Sequence, residues 1–166
     1  MRPMELVDGL VREPPAPFGL HQSLVTQLTV QLYQHVDEHR LGEVFVSPLD
    51  VVLDRERALV VQPDILFIAQ DRLGILDRCV WGAPDLVVEV LSSGTARRDR
   101  TTKVNWYDEY GVRECWLVDP VADAVDVLRF GPTRRCRRFT QDARVESDVL
   151  PAWSLTARAM LGDRRG

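Results

Sequence analysis

Lysine is all but missing from this chain. Of the 21 Lys and Arg residues among 166, only Lys103 is a lysine. Arginine neutralises phosphate well, but it cannot imitate a compact ammonium whose proton can be tuned by desolvation. The lone lysine therefore marks a place where the ammonium itself is needed, against the plainer reading of a solvated helix position left by codon bias. Other absences exclude further classes. Cys79, Cys115 and Cys136 are widely spaced with no C-x-x-C pair, and His21, His35 and His39 complete no metal pattern with them. Reduced thiols in a cytosol are the expectation. No run approaches the roughly 20 apolar residues of a membrane span. Glu5, Asp8, Arg12 and Glu13 interrupt any secretory leader, so the expected location is cytoplasmic with no membrane partner. A net charge of −4 excludes a polycation drawn to any nucleic acid. Local patches would have to do that work: Arg97, Arg98 and Arg100, or Arg134, Arg135, Arg137 and Arg138.

What is present suits one globular domain over residues 1–166, with 45% hydrophobic and 28% charged residues. Leu6 to Val11 reads as a small hairpin turning at Asp8-Gly9. Pro14, Pro15 and Pro17 then hold the chain extended. Leu24, Val25, Leu28, Leu32 and Val36 predict a helix over about 21–39 with one buried face, ended by Gly42. Val44-Phe45-Val46 and Val51-Val52-Leu53 read as one extended run bent at Pro48, followed by Leu59-Val60-Val61 and Asp64 to Ile68. Leu86 to Leu91 is apolar on both faces, as in a central strand. After a turn at Ser92 to Thr95, a helix is expected from about Arg98 to Tyr110, stopped by Gly111. Cys115 to Val118 is another buried strand. Val125 to Phe130 and Cys136 to Phe139 form an antiparallel pair beyond it, and Leu155 to Leu161 a short final helix. This order implies an α/β fold: a mixed central sheet flanked by helices, with additional antiparallel strands.

Within this frame, Glu89 sits between Val88 and Val90 in the central strand, where an unpartnered carboxylate is costly. Asp85 shares its face but lies four residues away, about 13 Å along a strand, and reads as a strand-start residue. Asp64 starts the preceding strand. Adjacent strands lie about 4.8 Å apart, so pairing brings Asp64 to Glu89. Lys103 lies on the following helix, whose return to the sheet points its stem, along Trp106 or Tyr107, toward those carboxylates. Two carboxylates and a divalent ion lower the pKa of a bound water and neutralise phosphate, and an ammonium beside them stabilises developing charge.

Pro63-Asp64, Glu89-Val90-Leu91 and Lys103 resemble the PD-(D/E)XK nuclease superfamily with its lysine displaced. The usual lysine position, two residues after the acid, is here Leu91. Pro84 to Ser92, with Lys103, Tyr107, Gly111-Val112 and Trp116-Leu117-Val118-Asp119-Pro120, closely resembles the Uma-type putative restriction endonuclease family, in which a lysine from the next helix fills the vacant place. The resemblance runs from the first hairpin to Leu150-Pro151-Ala152-Trp153. It implies a restriction-endonuclease-like core and Mg²⁺- or Mn²⁺-dependent hydrolysis of DNA phosphodiesters. The implied metal ligands are Asp64, Glu89 and the Val90 carbonyl, with Lys103 catalytic. His21 matches a family position at the helix start, although capping is the ordinary role of such a residue. Many superfamily nucleases add an acid from the first helix; this one offers Gln27, Gln31 and Gln34 instead. Arg97, Arg98 and Arg100 are candidates for substrate phosphates, since arginines at a helix start oppose its dipole. Cutting two strands favours a homodimer. Two other classes compete: a nuclease fold that binds nucleic acid or protein without cutting, and a structural subunit in which Glu89 and Lys103 are only a buried ion pair.

Overall fold

The computed structural model describes residues 4–12, 19–92 and 96–162. The proline-rich stretch and most of the turn after the central strand lie outside them. β1 (Glu5–Val7) and β2 (Leu10–Arg12) form the expected hairpin, with Asp8 at φ 49° and Gly9 at φ 77° in the turn. α1 (Gly19–His39) buries Leu24, Val25, Leu28, Leu32 and Val36, the face its periodicity predicts. It does not end at Gly42. Arg40 takes the left-handed conformation, its N–H bonds the Asp37 carbonyl, and the Leu41 N–H reaches back to Val36. Those bonds satisfy the last carbonyls at a position usually given to glycine. Gly42 is needed for another reason: a Cβ there would fall 2.0 Å from the Ile68 carbonyl oxygen, where β3 closes on its neighbour.

The strands make two sheets. The larger has β3 (Gly42–Val46), β6 (Ile65–Ala69), β8 (Leu86–Val90), β9 (Glu114–Asp119), β10 (Ala124–Arg129) and β11 (Arg135–Thr140). Its spatial order is β11-β10-β9-β8-β6-β3, with β8 and β9 parallel and the other pairs antiparallel. The smaller adds β4 (Val51–Asp54), β5 (Leu59–Val61) and β7 (Val80–Trp81) to the hairpin in the order β2-β1-β5-β4-β7. The expectation of one bent run over residues 44–53 is therefore corrected. β3 pairs with β6 against α1, whereas β4 pairs with β5 and β7 over the opposite core. Each half has a different apolar cluster to cover.

Between β8 and β9 the chain is helical: α2 (Ala96–Arg98), a π-helical turn (Asp99–Lys103) and α3 (Val104–Glu109). A parallel strand pair requires such a crossover. Gly111, at φ 91°, ends it as expected. α4 (Ala157–Leu161) starts two residues later than predicted, because the Thr156 side chain caps it by accepting the Ala159 N–H. The large sheet is thus covered on one face by α1 and α4, and on the other by α3 and the smaller sheet.

Candidate functional site

Asp64 sits where the chain leaves β5 in one sheet and enters β6 in the other. β6 and β8 pair with Ile65 opposite Val88 and Leu66 opposite Val87. One further step of that register puts Asp64 across from Glu89, as the strand argument requires. The Asp64 carboxylate turns over the strand end. Its Oδ2 accepts the Val90 N–H at 2.7 Å and lies 3.2 Å from His21 Nε2. The hydrogen bond to Asp64 raises the His21 imidazole above its ordinary pKa against the pull of burial, and the Val90 carbonyl contributes in the same direction.

Glu89 is 2% exposed and meets side chains of the helical crossover that follows its strand. Lys103 Nζ donates to its Oε1 and Oε2 at 3.0 and 3.1 Å, and the Tyr107 hydroxyl donates to Oε1. One short segment delivers two charges because Asp99 and Lys103, four residues apart on the π-helical turn, share its buried face, with Lys103 Nζ 3.5 Å from Asp99 Oδ1. β1 adds a third carboxylate: Glu5 Oε1 is 3.0 Å from Lys103 Nζ, and the Arg98 guanidinium lies beside Oε2. One buried ammonium is thus shared by Glu5, Glu89 and Asp99. Burial acts to depress Lys103, but those three charges outweigh it and keep the ammonium protonated. Burial pushes Glu89 up, against the pull of Lys103.

The remaining candidates separate from this cluster. Asp85 is fully buried at the far end of β8, where its carboxylate accepts the Ala69 N–H at 2.9 Å and pairs with Arg72 at 2.8 Å and Arg113 at 3.3 Å. It fastens the start of β8 to the end of β6, the strand-start role. Arg100 is taken by Asp119 and by Asp126, the latter at 2.8 Å, and Arg98 by Glu5. Both guanidiniums therefore serve carboxylates of this chain. The Arg97 side chain lies outside the described residues. On the edge strand β11, Arg137 pairs with Glu146 at 2.6 Å and Arg138 with Asp126 at 2.6 Å, while Arg134 reaches Asp108 at 2.7 Å. These pairings fit edge protection rather than a phosphate track.

Sequence reasoning missed Glu5 and Asp99, and gave Tyr107 no hydrogen bond to Glu89. Asp99 had a usable signal, its i,i+4 spacing from Lys103. Tyr107 had one in its position one turn beyond. A three-residue strand gives Glu5 none.

A divalent cation fits this donor set. Asp64, Glu89 and the Val90 carbonyl are hard oxygens, and negative charge exceeds positive around a single ammonium. Among the described residues no three His, Cys, Asp or Glu side chains are grouped to hold a metal ion. A cation that keeps several waters and binds through one or two carboxylates, as Mg²⁺ does, needs no closed cage of side chains. Among the described residues no helix is long and apolar enough to cross a membrane.

Known proteins resemble this chain in sequence pattern and in fold. Residues 2–158 match the model of the Uma2 family, described as "Putative restriction endonuclease". The fold is similar to the crystal structure of a putative nuclease belonging to DUF820 from Anabaena variabilis. The TM-score is 0.83 at 21% identity, covering 95% of this chain and 89% of that one. No curated protein matches the chain.

Proposed function

The chain belongs to the Uma2 putative restriction endonuclease family, and on that premise we propose that it is a divalent-cation-dependent nuclease that hydrolyses DNA phosphodiester bonds. One observation carries the proposal. The only lysine is buried against Glu89 at 3.0 Å, at the strand end where Asp64 also lies. In this reading Asp64, Glu89 and the Val90 carbonyl hold Mg²⁺ or Mn²⁺. The ion supplies Lewis-acid neutralisation of the phosphate and a more acidic water. Val90 N–H and His21 fix the Asp64 carboxylate, so its free oxygen has a set direction. Lys103, held protonated by its acidic neighbours, aligns the attacking water and stabilises negative charge that builds on the phosphoryl oxygens. Leu91, buried where the usual motif has lysine, leaves that role to the helix. Cutting both strands of a duplex favours two such sites, so two copies acting together belong to the same reading.

The test is nicking of supercoiled plasmid with Mg²⁺ or Mn²⁺ by wild type, Glu89→Ala and Lys103→Ala. Loss in both variants is expected; unchanged cleavage by both removes these residues from the chemistry. A second reading draws on the engagement of both Glu89 oxygens by Lys103 and Tyr107: a nuclease fold that grips nucleic acid or protein without cutting it. DNA binding without any Mn²⁺ uptake in calorimetry would favour it.

A further inference from the structure

The mechanism above gives Glu5 no part, yet Glu5 is only 4% exposed and arrives at the site from the amino-terminal hairpin. An ammonium has three donors and no acceptor. Those of Lys103 face Glu89 at 3.0 and 3.1 Å, Glu5 at 3.0 Å and Asp99 at 3.5 Å. Glu89 cannot give its oxygens to a cation at about 2.1 Å and keep both on the ammonium. Once it turns to the cation, Lys103 needs another anchor or it swings away. Asp99 rides on the same helical turn as Lys103, so the contact between those two is internal to that turn. Glu5 belongs to a different layer. β1 is held by β2 and by β5, with Leu6 opposite Val60. Arg98 beside Oε2 leaves Oε1 facing the lysine.

We propose that Glu5 is a positioning residue for Lys103: it retains the ammonium beside the site when Glu89 gives its carboxylate to the divalent cation. This rests on the metal-dependent reading above. Glu5 touches neither cation nor substrate in this scheme; it acts by relieving Glu89 of its ion pair. Without Glu5, Lys103 would fall back on Glu89 and compete with the cation.

The test is a double-mutant cycle read by calorimetry with Mn²⁺ alone, using the full chain at fixed pH: wild type, Glu5→Gln, Lys103→Met and the double variant. Glu5→Gln should weaken Mn²⁺ binding by about tenfold, within the range of coupling in one ion-pair network. In the Lys103→Met background the same change should have almost no effect. A charge acting merely at a distance would weaken Mn²⁺ equally in both backgrounds, and that result overturns the proposal, as does no effect in either. In cleavage, Glu5→Gln should lower kcat with KM unchanged, and Glu5→Asp should recover part of the loss. Wild type that takes up no Mn²⁺ sinks the metal reading and this inference together. Wild type that binds Mn²⁺ without coupling sinks only this one. A measurement on the unmodified protein guards against a misfolded variant. Because Lys103 is the only lysine, ¹³C,¹⁵N-lysine labelling yields one ammonium signal. Saturating Mg²⁺ should shift that signal while leaving it protected from solvent exchange. A signal that exchanges like free lysine at saturation refutes retention by Glu5.

Discussion

Lys103 donates to both oxygens of Glu89, at 3.0 and 3.1 Å, from a helical turn that begins after the strand carrying the acid has ended. The contact joins two layers of the fold, so its removal is felt in stability as well as chemistry. Lys103→Met strands Glu5, Glu89 and Asp99 in the interior without their shared cation. Breaking one partner out of a buried pair costs about 3–5 kcal/mol. Urea denaturation at pH 8 should show a loss of that size, and Glu89→Gln added to Lys103→Met should restore part of it. A loss below about 1 kcal/mol would mean the ammonium is dispensable to the fold.

Cation binding should stabilise the protein. A ligand at a hundredfold excess over its Kd contributes about 2.7 kcal/mol when it binds only the folded state. Mn²⁺ should therefore raise Tm in a concentration-dependent way. Asp64→Asn should abolish most of that rise while the metal-free Tm changes little, since Asp64 lies near the surface of the cluster. An equal rise in Asp64→Asn would place the cation elsewhere.

The acid limb of stability should come from Asp126 and Asp119. Burial pushes Asp126 up, but hydrogen bonds and charges from Arg138 and Arg100 outweigh it and leave its pKa below the ordinary 3.8. For Asp119, burial is likewise overcome by the Ala122 N–H, Arg100 and the Val121 N–H. A depressed carboxylate binds fewer protons folded than unfolded. Its contribution is thus present above the unfolded value and lost as pH falls through the folded one. Urea midpoints should drop as pH falls from about 5 toward 2, and Arg100→Gln should flatten that drop. A slope identical in the variant would show that Arg100 does not sustain the depression.

Glu114 should govern the docking of the carboxy-terminal segment. Fully buried at the start of β9, it accepts from Trp116 Nε1 at 2.7 Å, Ser147 Oγ at 2.6 Å and the Asp148 N–H at 2.8 Å. Glu114→Ala leaves those donors unpaired at about 1–3 kcal/mol each. Hydrogen exchange should accelerate over residues 145–161 before it does in β8. Uniform acceleration across the sheet would contradict a local role.

The grouping of Asp64, Glu89 and Lys103 was legible in the sequence because it depends on short-range rules. Register brings Asp64 to Glu89 once β6 and β8 are recognised, and a crossover helix must return Lys103 to the sheet it left. The helix faces and the stop at Gly111 follow from periodicity and turn chemistry. What escaped depends on partners far away in sequence. Arg100 resembles a phosphate ligand until Asp119 and Asp126 appear beside it. Residues 44–53 resemble one bent strand until two separate cores divide them. Glu5 sits in a strand too short to reveal which side faces inward.

The placement of Asp64 between the two sheets has a consequence for how such a site can vary. β5 and β6 are each pinned by neighbours, so the three residues joining them form a joint whose angle is set by how one sheet leans on the other. Packing changes deep in either core would tilt that joint and reset the gap between the two acids without altering either of them. A hydrophobic substitution far from both acids is therefore a route by which their spacing changes while Asp64 and Glu89 stay the same.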